Sequence, residues 1–289
     1  MKKILVPTDF SAHAERALEY GAAFARIFDT KIELVTSVFL NPLALGPYAF
    51  ALPEGHLARA EAHACEGLEA VAGPLREEGL EVSCKVARED PSVFICSHAA
   101  AVEADLIAMG THGRTGLPHV LLGSVAERTV RRAQSPVLTV HRESPSPGPL
   151  DRVLVATDFS RGAEAALSWA FTLIRRTGGS LILAHSIVPR SAIPEVEAYT
   201  EGVAGPALED EARTKLQAMA SGLDCTVEIA VAWGHLETAG LELAKRHGAQ
   251  LVVVGTRGRT GLPHVILGSA AERFIRHSDL PVVAVKASS

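Results

Sequence analysis

Short apolar runs alternate with longer stretches of helical periodicity along the chain. Residues 4–6 form a β-branched, apolar run that predicts a strand buried on both faces. Leu18, Gly21, Ala22, Ala25 and Phe28 then recur at helical spacing, so 11–28 is predicted to be an amphipathic helix. The pattern continues with a strand over 32–38, a loop rich in Pro and Gly over 39–53, a helix over 53–78 and a strand over 82–86. A helix over 92–102, a strand over 105–109, a glycine loop beginning at Gly110, a helix over 124–132 and a strand over 137–140 complete the round. A second round follows in the same order, with strands over 181–187, 226–231, 251–254 and 282–285.

The second round is a copy of the first. Residues 110–140 read GTHGRTGLPHVLLGSVAERTVRRAQSPVLTV, and 145 residues on the chain reads GTRGRTGLPHVILGSAAERFIRHSDLPVVAV. The beginnings match as well: Pro7-Thr8-Asp9-Phe10-Ser11 returns as Ala156-Thr157-Asp158-Phe159-Ser160. A long period with a full set of elements in each copy indicates duplication of a self-sufficient domain and not a solenoid. The copies are assigned to 1–142 and 151–289, with a stiff linker over 143–150 rich in proline and serine. Strands that alternate with helices and are apolar almost throughout predict the α/β class: two five-stranded parallel sheets with helices on both faces.

In such sheets ligands sit at the carboxyl ends of the strands, where strand order reverses. Two loops of each copy reach that point. One carries Thr8 and Asp9, or Thr157 and Asp158. The other reads Gly110-x-x-Gly113, nine residues, Gly123-Ser124, and again Gly255-x-x-Gly258, nine residues, Gly268-Ser269. Glycines beyond a strand let an anion approach the backbone, and the closing Gly-Ser opens a helix whose unsatisfied N–H groups favour a phosphate. Arg114 and Arg259 add positive charge, either at a phosphate or as solvated surface groups. No Gly-Lys-Ser/Thr follows, so this is not a Walker loop, nor is it G-x-G-x-x-G.

Composition narrows the function. The 289 residues are 47% hydrophobic and 21% charged, with net charge −5, an ordinary globular balance that argues against a nucleic-acid binder. No apolar run approaches the ~18 residues of a membrane span, and the apolar stretch at the N-terminus is too short for a signal peptide, so a cytoplasmic location is expected. Cys65, Cys84, Cys96 and Cys225 show no metal or redox spacing and are expected to be buried free thiols. His119 and His264 have no second ligand at useful spacing, His56 and His63 belong to an exposed polar face, and Ser97-His98 beside Cys96 lacks a positioned partner. No nucleophile, base and acid arrangement recurs in both copies.

The first-strand Thr-Asp-Phe-Ser, the G-x2-G-x9-G-S loop and the following Pro-Val strand resemble the universal stress protein family across nearly the whole chain. The resemblance implies a Rossmann-like fold of the adenine nucleotide alpha-hydrolase type, a tandem two-domain member and the ATP-binding branch. It implies nucleoside contacts at Pro7, Thr8, Asp9, Val38 and Met109, and phosphate contacts at Gly110, Gly113, Gly123, Ser124 and Val125. The second site becomes Ala156, Thr157, Asp158, Ile187, Val254, Gly255, Gly258, Gly268, Ser269 and Ala270. ATP would arrive with Mg²⁺, bridged by phosphate oxygens and water. A carboxylate repels phosphate, which places Asp9 and Asp158 at the nucleoside end, although both are also suited to cap the first helix. The family further implies pairing of the two copies through their last strands; a homodimer and an unidentified protein partner are left open by the sequence, and charge and apolar-run length exclude nucleic acid and membrane as partners.

The function expected is therefore a nucleotide-dependent regulator or sensor. Slow ATP hydrolysis and a sensor preferring AMP or ADP are the alternatives. The copies differ where His112 stands in for Arg257, so the second site is expected to hold triphosphate more firmly above pH 7. The loops over 39–53 and 189–206 diverge between copies and are candidates for lids or docking surfaces.

Overall fold

The computed structural model describes residues 1–39, 55–113, 122–188, 204–256 and 267–287. The chain divides into two units, Met1–Pro147 and Gly148–Ser289, the division falling inside 143–150. Unit one contains β1 (Lys3–Pro7), α1 (Ala12–Phe28), β2 (Lys31–Ser37), α2 (His56–Glu77), β3 (Val82–Ala87), α3 (Pro91–Ala101), β4 (Leu106–Gly110), α4 (Ser124–Arg132) and β5 (Val137–Val140). Unit two contains β6 (Arg152–Ala156), α5 (Arg161–Thr177), β7 (Ser180–Ile187), α6 (Gly205–Ala220), β8 (Thr226–Trp233), α7 (Leu236–Arg246), β9 (Leu251–Gly255), α8 (Ser269–His277) and β10 (Val282–Val285).

Each unit is the expected α/β fold of five parallel strands with flanking helices. Strand order is β3-β2-β1-β4-β5 in the first and β8-β7-β6-β9-β10 in the second. Order reverses between β1 and β4 and between β6 and β9. Ile4, Leu5, Val6, Leu106 and Ile107 have no exposed surface, which explains their uninterrupted apolarity. Among the described residues no helix is long and apolar enough to cross a membrane.

Helix starts follow their caps. Ser11 keeps extended backbone and accepts from Ala14 N–H, so α1 opens at Ala12; Ser160 does the same for Ala163 at the start of α5. Asp90 accepts from the N–H groups of Ser92 and Val93, which with Pro91 behind it opens α3. Helix α2 opens at His56, and the residues 53 and 54 expected to begin it lie outside the described segments. The buried face of α1 is wider than its periodicity suggests. Ala14, Ala17, Tyr20 and Phe24 join it, while Leu18 stays half-buried.

The start of the expected linker is fastened to unit one. Ser144 is buried, Tyr20 Oη donates to the Pro145 carbonyl at 2.9 Å, and Arg16 donates to Ser146 Oγ at 2.8 Å. The thiols depart from expectation. All four cysteines are free, but Cys65 is exposed and Cys84, Cys96 and Cys225 are half-buried. Cys65 lies on the solvent side of α2, and Cys84 sits beside Arg76, where burial and the nearby Glu69 carboxylate push its thiol up to about 11.

Apolar patterning also fails to foresee a charge cluster inside unit one. Glu33 of β2 is 9% exposed and accepts from His98 Nε2 of α3 at 2.8 Å, with Lys3 Nζ at 3.4 Å and Lys85 Nζ 3.5 Å from His98 Nδ1. Burial opposes the Glu33 charge, yet His98 and Lys3 together hold its carboxyl below the usual range. Unit two carries Ile182 and Leu243 at the equivalent positions, both in the core. A second exchange of core chemistry involves volume. Unit one has Ile95 on α3 and Thr129 on α4; unit two has Gly240 on α7 and Phe274 on α8. A Cβ on Gly240 would lie 2.5 Å from the Phe274 ring, so the aromatic ring occupies the space that a larger side chain would need.

Candidate functional site

The loop after β1 is built by its own side chains. Thr8 N–H extends the sheet to the Val35 carbonyl, Thr8 Oγ1 accepts from Phe10 N–H at 3.0 Å, and Asp9 Oδ1 accepts from Ser11 N–H at 3.1 Å. Between these turns Phe10 is forced to φ 64°, a left-handed conformation costly for an aromatic residue. Unit two repeats every part: Thr157 Oγ1 accepts from Phe159 N–H at 3.0 Å, Asp158 Oδ1 from Ser160 N–H at 3.1 Å, and Phe159 has φ 64°. The caps are Ser11 and Ser160 and not Asp9 and Asp158; each aspartate instead braces the residue that does the capping.

The glycines divide into two kinds. Gly110 is the last residue of β4, paired with Val140, and not the first residue of the loop. A Cβ there would lie 2.8 Å from the His13 backbone; at Gly255 it would lie 2.5 Å from Gly162. Their missing side chains let the first helix of each unit cross the strand end. Gly123 N–H is consumed by the Thr111 carbonyl at 2.8 Å, and Gly268 N–H by Thr256 at 2.9 Å. Gly113 is different. A Cβ on it would lie 2.7 Å from Asp9 Oδ2, so the carboxylate stands directly against this glycine.

These elements enclose a cavity of about 370 Å³ at the carboxyl ends of the unit-one strands. Pro7, Thr8, Asp9, Met109, Gly110, Gly113, Gly123, Ser124 and Val125, all anticipated from sequence, line it together. Val38 is not on that wall; its N–H is held by the Ala87 carbonyl, and Val35, Thr36 and Ser37 form the wall instead. Pro91, Phe94 and Ile95 of α3 close another side and were invisible to motif reading, because α3 carries no glycine signature. Helix α4 meets the cavity with its first turn, and its N-cap Gly123 offers no side-chain cap, in contrast to Ser11 on α1 and Asp90 on α3. The amides of Ser124, Val125 and Ala126 are therefore the donors available to an anion. Helix α8 begins identically at Gly268 and Ser269.

In unit two, Ala156, Thr157, Asp158, Val254 and Gly255 occupy the matching strand ends, with Ser269 and Ala270 in the first turn of α8. Ile187 ends β7 and accepts from Gly234 N–H. His185 takes the place of Thr36, its Nδ1–H donating to the Thr157 carbonyl at 2.7 Å and its ring 4.4 Å from that of Phe159. Arg114, Gly258 and Arg259 lie outside the described residues, as do His119, His264 and most of the two long loops.

His112 lines the unit-one cavity, and two further histidines stand beside its ring. The His112 ring lies 5.3 Å from that of His13 on α1 and 6.0 Å from that of His141 after β5. Thr111 Oγ1 is 3.1 Å from both His112 Nδ1 and His141 Nδ1. Burial, then the neighbouring His112, lower the pKa of His13, while Glu143 opposes them. Among the described residues no cluster of His, Cys, Asp or Glu is arranged to hold a metal ion.

Fold and site together define a duplicated, doubly wound α/β protein with an uncapped helix start at the strand ends of each copy. The Universal stress protein family model matches residues 1–141 and 149–286, and the chain belongs to that family as a tandem two-domain member. A universal stress protein of Mycolicibacterium smegmatis is 29% identical over 296 residues, covering 98% of this chain and 96% of the relative. One from Methanocaldococcus jannaschii is 34% identical over 145 residues, covering 49% of this chain and 82% of its own. The crystal structure of a universal stress protein from Archaeoglobus fulgidus is similar over 99% of this chain and 98% of that one, with TM-score 0.72 and 26% identity.

Proposed function

We propose that the chain is a nucleotide-dependent regulator of the stress response that holds ATP with Mg²⁺ in each domain. The observation that carries this reading is the uncapped first turn of α4 opening onto a cavity of about 370 Å³ that Thr8 and Asp9 also line. The cradle fits the group, because Gly113 leaves no room for a side chain beside Asp9. Pro7, Thr8, Asp9 and Met109 hold the nucleoside, with the carboxylate accepting from an amine or hydroxyl. The amides of Ser124, Val125 and Ala126, with the Ser124 hydroxyl and Arg114, hold the phosphates. Ala156, Thr157, Asp158, Val254, Gly258, Arg259, Ser269 and Ala270 are the second set. Mg²⁺ would supply charge neutralisation of the phosphate tail, the described residues of the chain contributing no metal-holding cluster of their own.

Denaturing the purified protein and identifying the released small molecule by mass tests the reading and distinguishes ATP from ADP or AMP. Gly113→Val combined with Gly258→Val is expected to abolish the release while the far-ultraviolet circular dichroism stays native. Nucleotide retained by that variant, or none released by the wild type and none bound on titration, overturns the proposal.

A further inference from the structure

Thr111 Oγ1 makes three contacts at once: the Val140 carbonyl at 3.4 Å, His112 Nδ1 at 3.1 Å and His141 Nδ1 at 3.1 Å. A carbonyl can only accept, so the single hydroxyl proton goes to Val140, and the two lone pairs of Oγ1 accept from Nδ1–H of both histidines. That arrangement leaves the lone pair of His112 on Nε2. Nε2 is buried and has no hydrogen-bond partner among the described residues, although His112 itself lines the cavity. The His112 backbone also stands at the start of α4, its Cα 3.4 Å from where a Cβ on Gly123 would be. A buried acceptor without a donor is costly, and a proton placed there would lack an acceptor in turn. An anionic oxygen delivered to the mouth of α4 supplies that acceptor.

The second copy lacks this device. Where unit one has His112 and His141, unit two has Arg257 and Lys286, and His13 is replaced by Gly162. Two titratable groups thus stand where the duplicate carries two permanent charges.

We infer that the first domain binds the polyphosphate tail of its nucleotide together with a proton, taken from solvent onto His112 Nε2, whereas the second domain binds its nucleotide without proton uptake. The inference rests on the nucleotide reading above and adds its regulation. The His112 ring faces His13 on α1 and His141 after β5, Asp9 stands against the adjoining Gly113, and Arg142 and Glu143 act on the cluster through His13. Glu143 favours a proton on His13 of the cluster, and Arg142 opposes it. Mutual repulsion among the three rings restricts the uptake to a single proton, because a charge on His112 disfavours one on His13. By reciprocity, a phosphate that prefers the protonated ring makes affinity rise as pH falls.

The full chain carrying Gly258→Val reports on site one, and the full chain carrying Gly113→Val reports on site two. Magnesium ATP is titrated calorimetrically into each between pH 8 and pH 6, in buffers of different ionisation enthalpy. Site one is expected to gain affinity as pH falls, by at most about tenfold per pH unit, the limit set by uptake of one proton, with matching proton uptake. Site two, which experiences the same titration of the ligand itself, is expected to show no uptake by the protein. Adenosine, lacking phosphates, is expected to show no pH dependence at either site. His112→Arg in the Gly258→Val chain is expected to give binding without proton uptake. Proton uptake that is absent at site one, equal at both sites, or unchanged by His112→Arg overturns the inference while leaving the nucleotide reading intact. Failure of ATP to bind at any pH overturns both.

Discussion

Glycine serves two ends of the same loop for different reasons, and the distinction predicts different mutants. At Gly110 and Gly255 the intruding atoms are main-chain atoms of His13 and Gly162, which have no rotamer through which to escape. Gly110→Ala is expected to destabilise unit one by about 1–3 kcal/mol through overpacking, and Gly255→Ala to cost unit two at least as much. Urea midpoints should fall at constant m-value. At Gly113 the neighbour is the Asp9 side chain, which can rotate, so substitution there is expected to harm binding far more than folding. The motif makes it legible that glycine is required at these places. What approaches each one is not legible, because His13 and Gly110 are brought together only by α1 crossing the strand end. The brace between Asp9 and Ser11 was within reach of sequence reasoning, since Thr-Asp-Phe-Ser spells two successive side-chain turns before a helix.

Helices and strands with chemically marked ends were the most legible elements. Ser11, Asp90-Pro91 and Gly123-Ser124 announce α1, α3 and α4, and the apolar runs announce the strands. Partnerships inside the sheet layers were not, and the pair formed by Glu33 and His98 is the clearest case. Glu33 looks like an interruption in an apolar strand, and His98 looks like an ordinary helix residue. A signal was nevertheless present, because the duplicate has Ile182 and Leu243 in their places. Changing His98→Leu alone is expected to cost about 2–4 kcal/mol, since it strips a nearly buried carboxylate of its closest partner. The double change Glu33→Ile with His98→Leu, which copies the apolar solution of unit two, is expected to be neutral or stabilising. Because the Glu33 carboxyl is held below its usual range in the folded state, its contribution is complete above the unfolded carboxylate pKa. It is lost as pH falls through the lower, folded value. Acid unfolding of the double variant should therefore show a weaker pH dependence in that window, measured by urea melts at successive pH values.

At the scale of the molecule, each unit owns a complete five-stranded sheet and its own pair of loops at the strand ends. Chains spanning Met1–Pro147 and Gly148–Ser289 are each expected to unfold in one cooperative transition when made separately. A broad, non-cooperative melt of either would show that it depends on the other. Mixing the two fragments then tests the pairing through last strands that the family resemblance implies.

Duplication ordinarily leaves a chain with spare parts, so that recombination between its halves produces working hybrids. The exchange of Ile95 and Thr129 for Gly240 and Phe274 is expected to restrict that freedom here. A hybrid that took α3 into the second half without α4 would drive an isoleucine into the phenylalanine ring, and the reverse swap would leave a hole in the first half. Steric fit thus ties α3 to α4 and α7 to α8, so that each pair is exchangeable between the copies only as a unit.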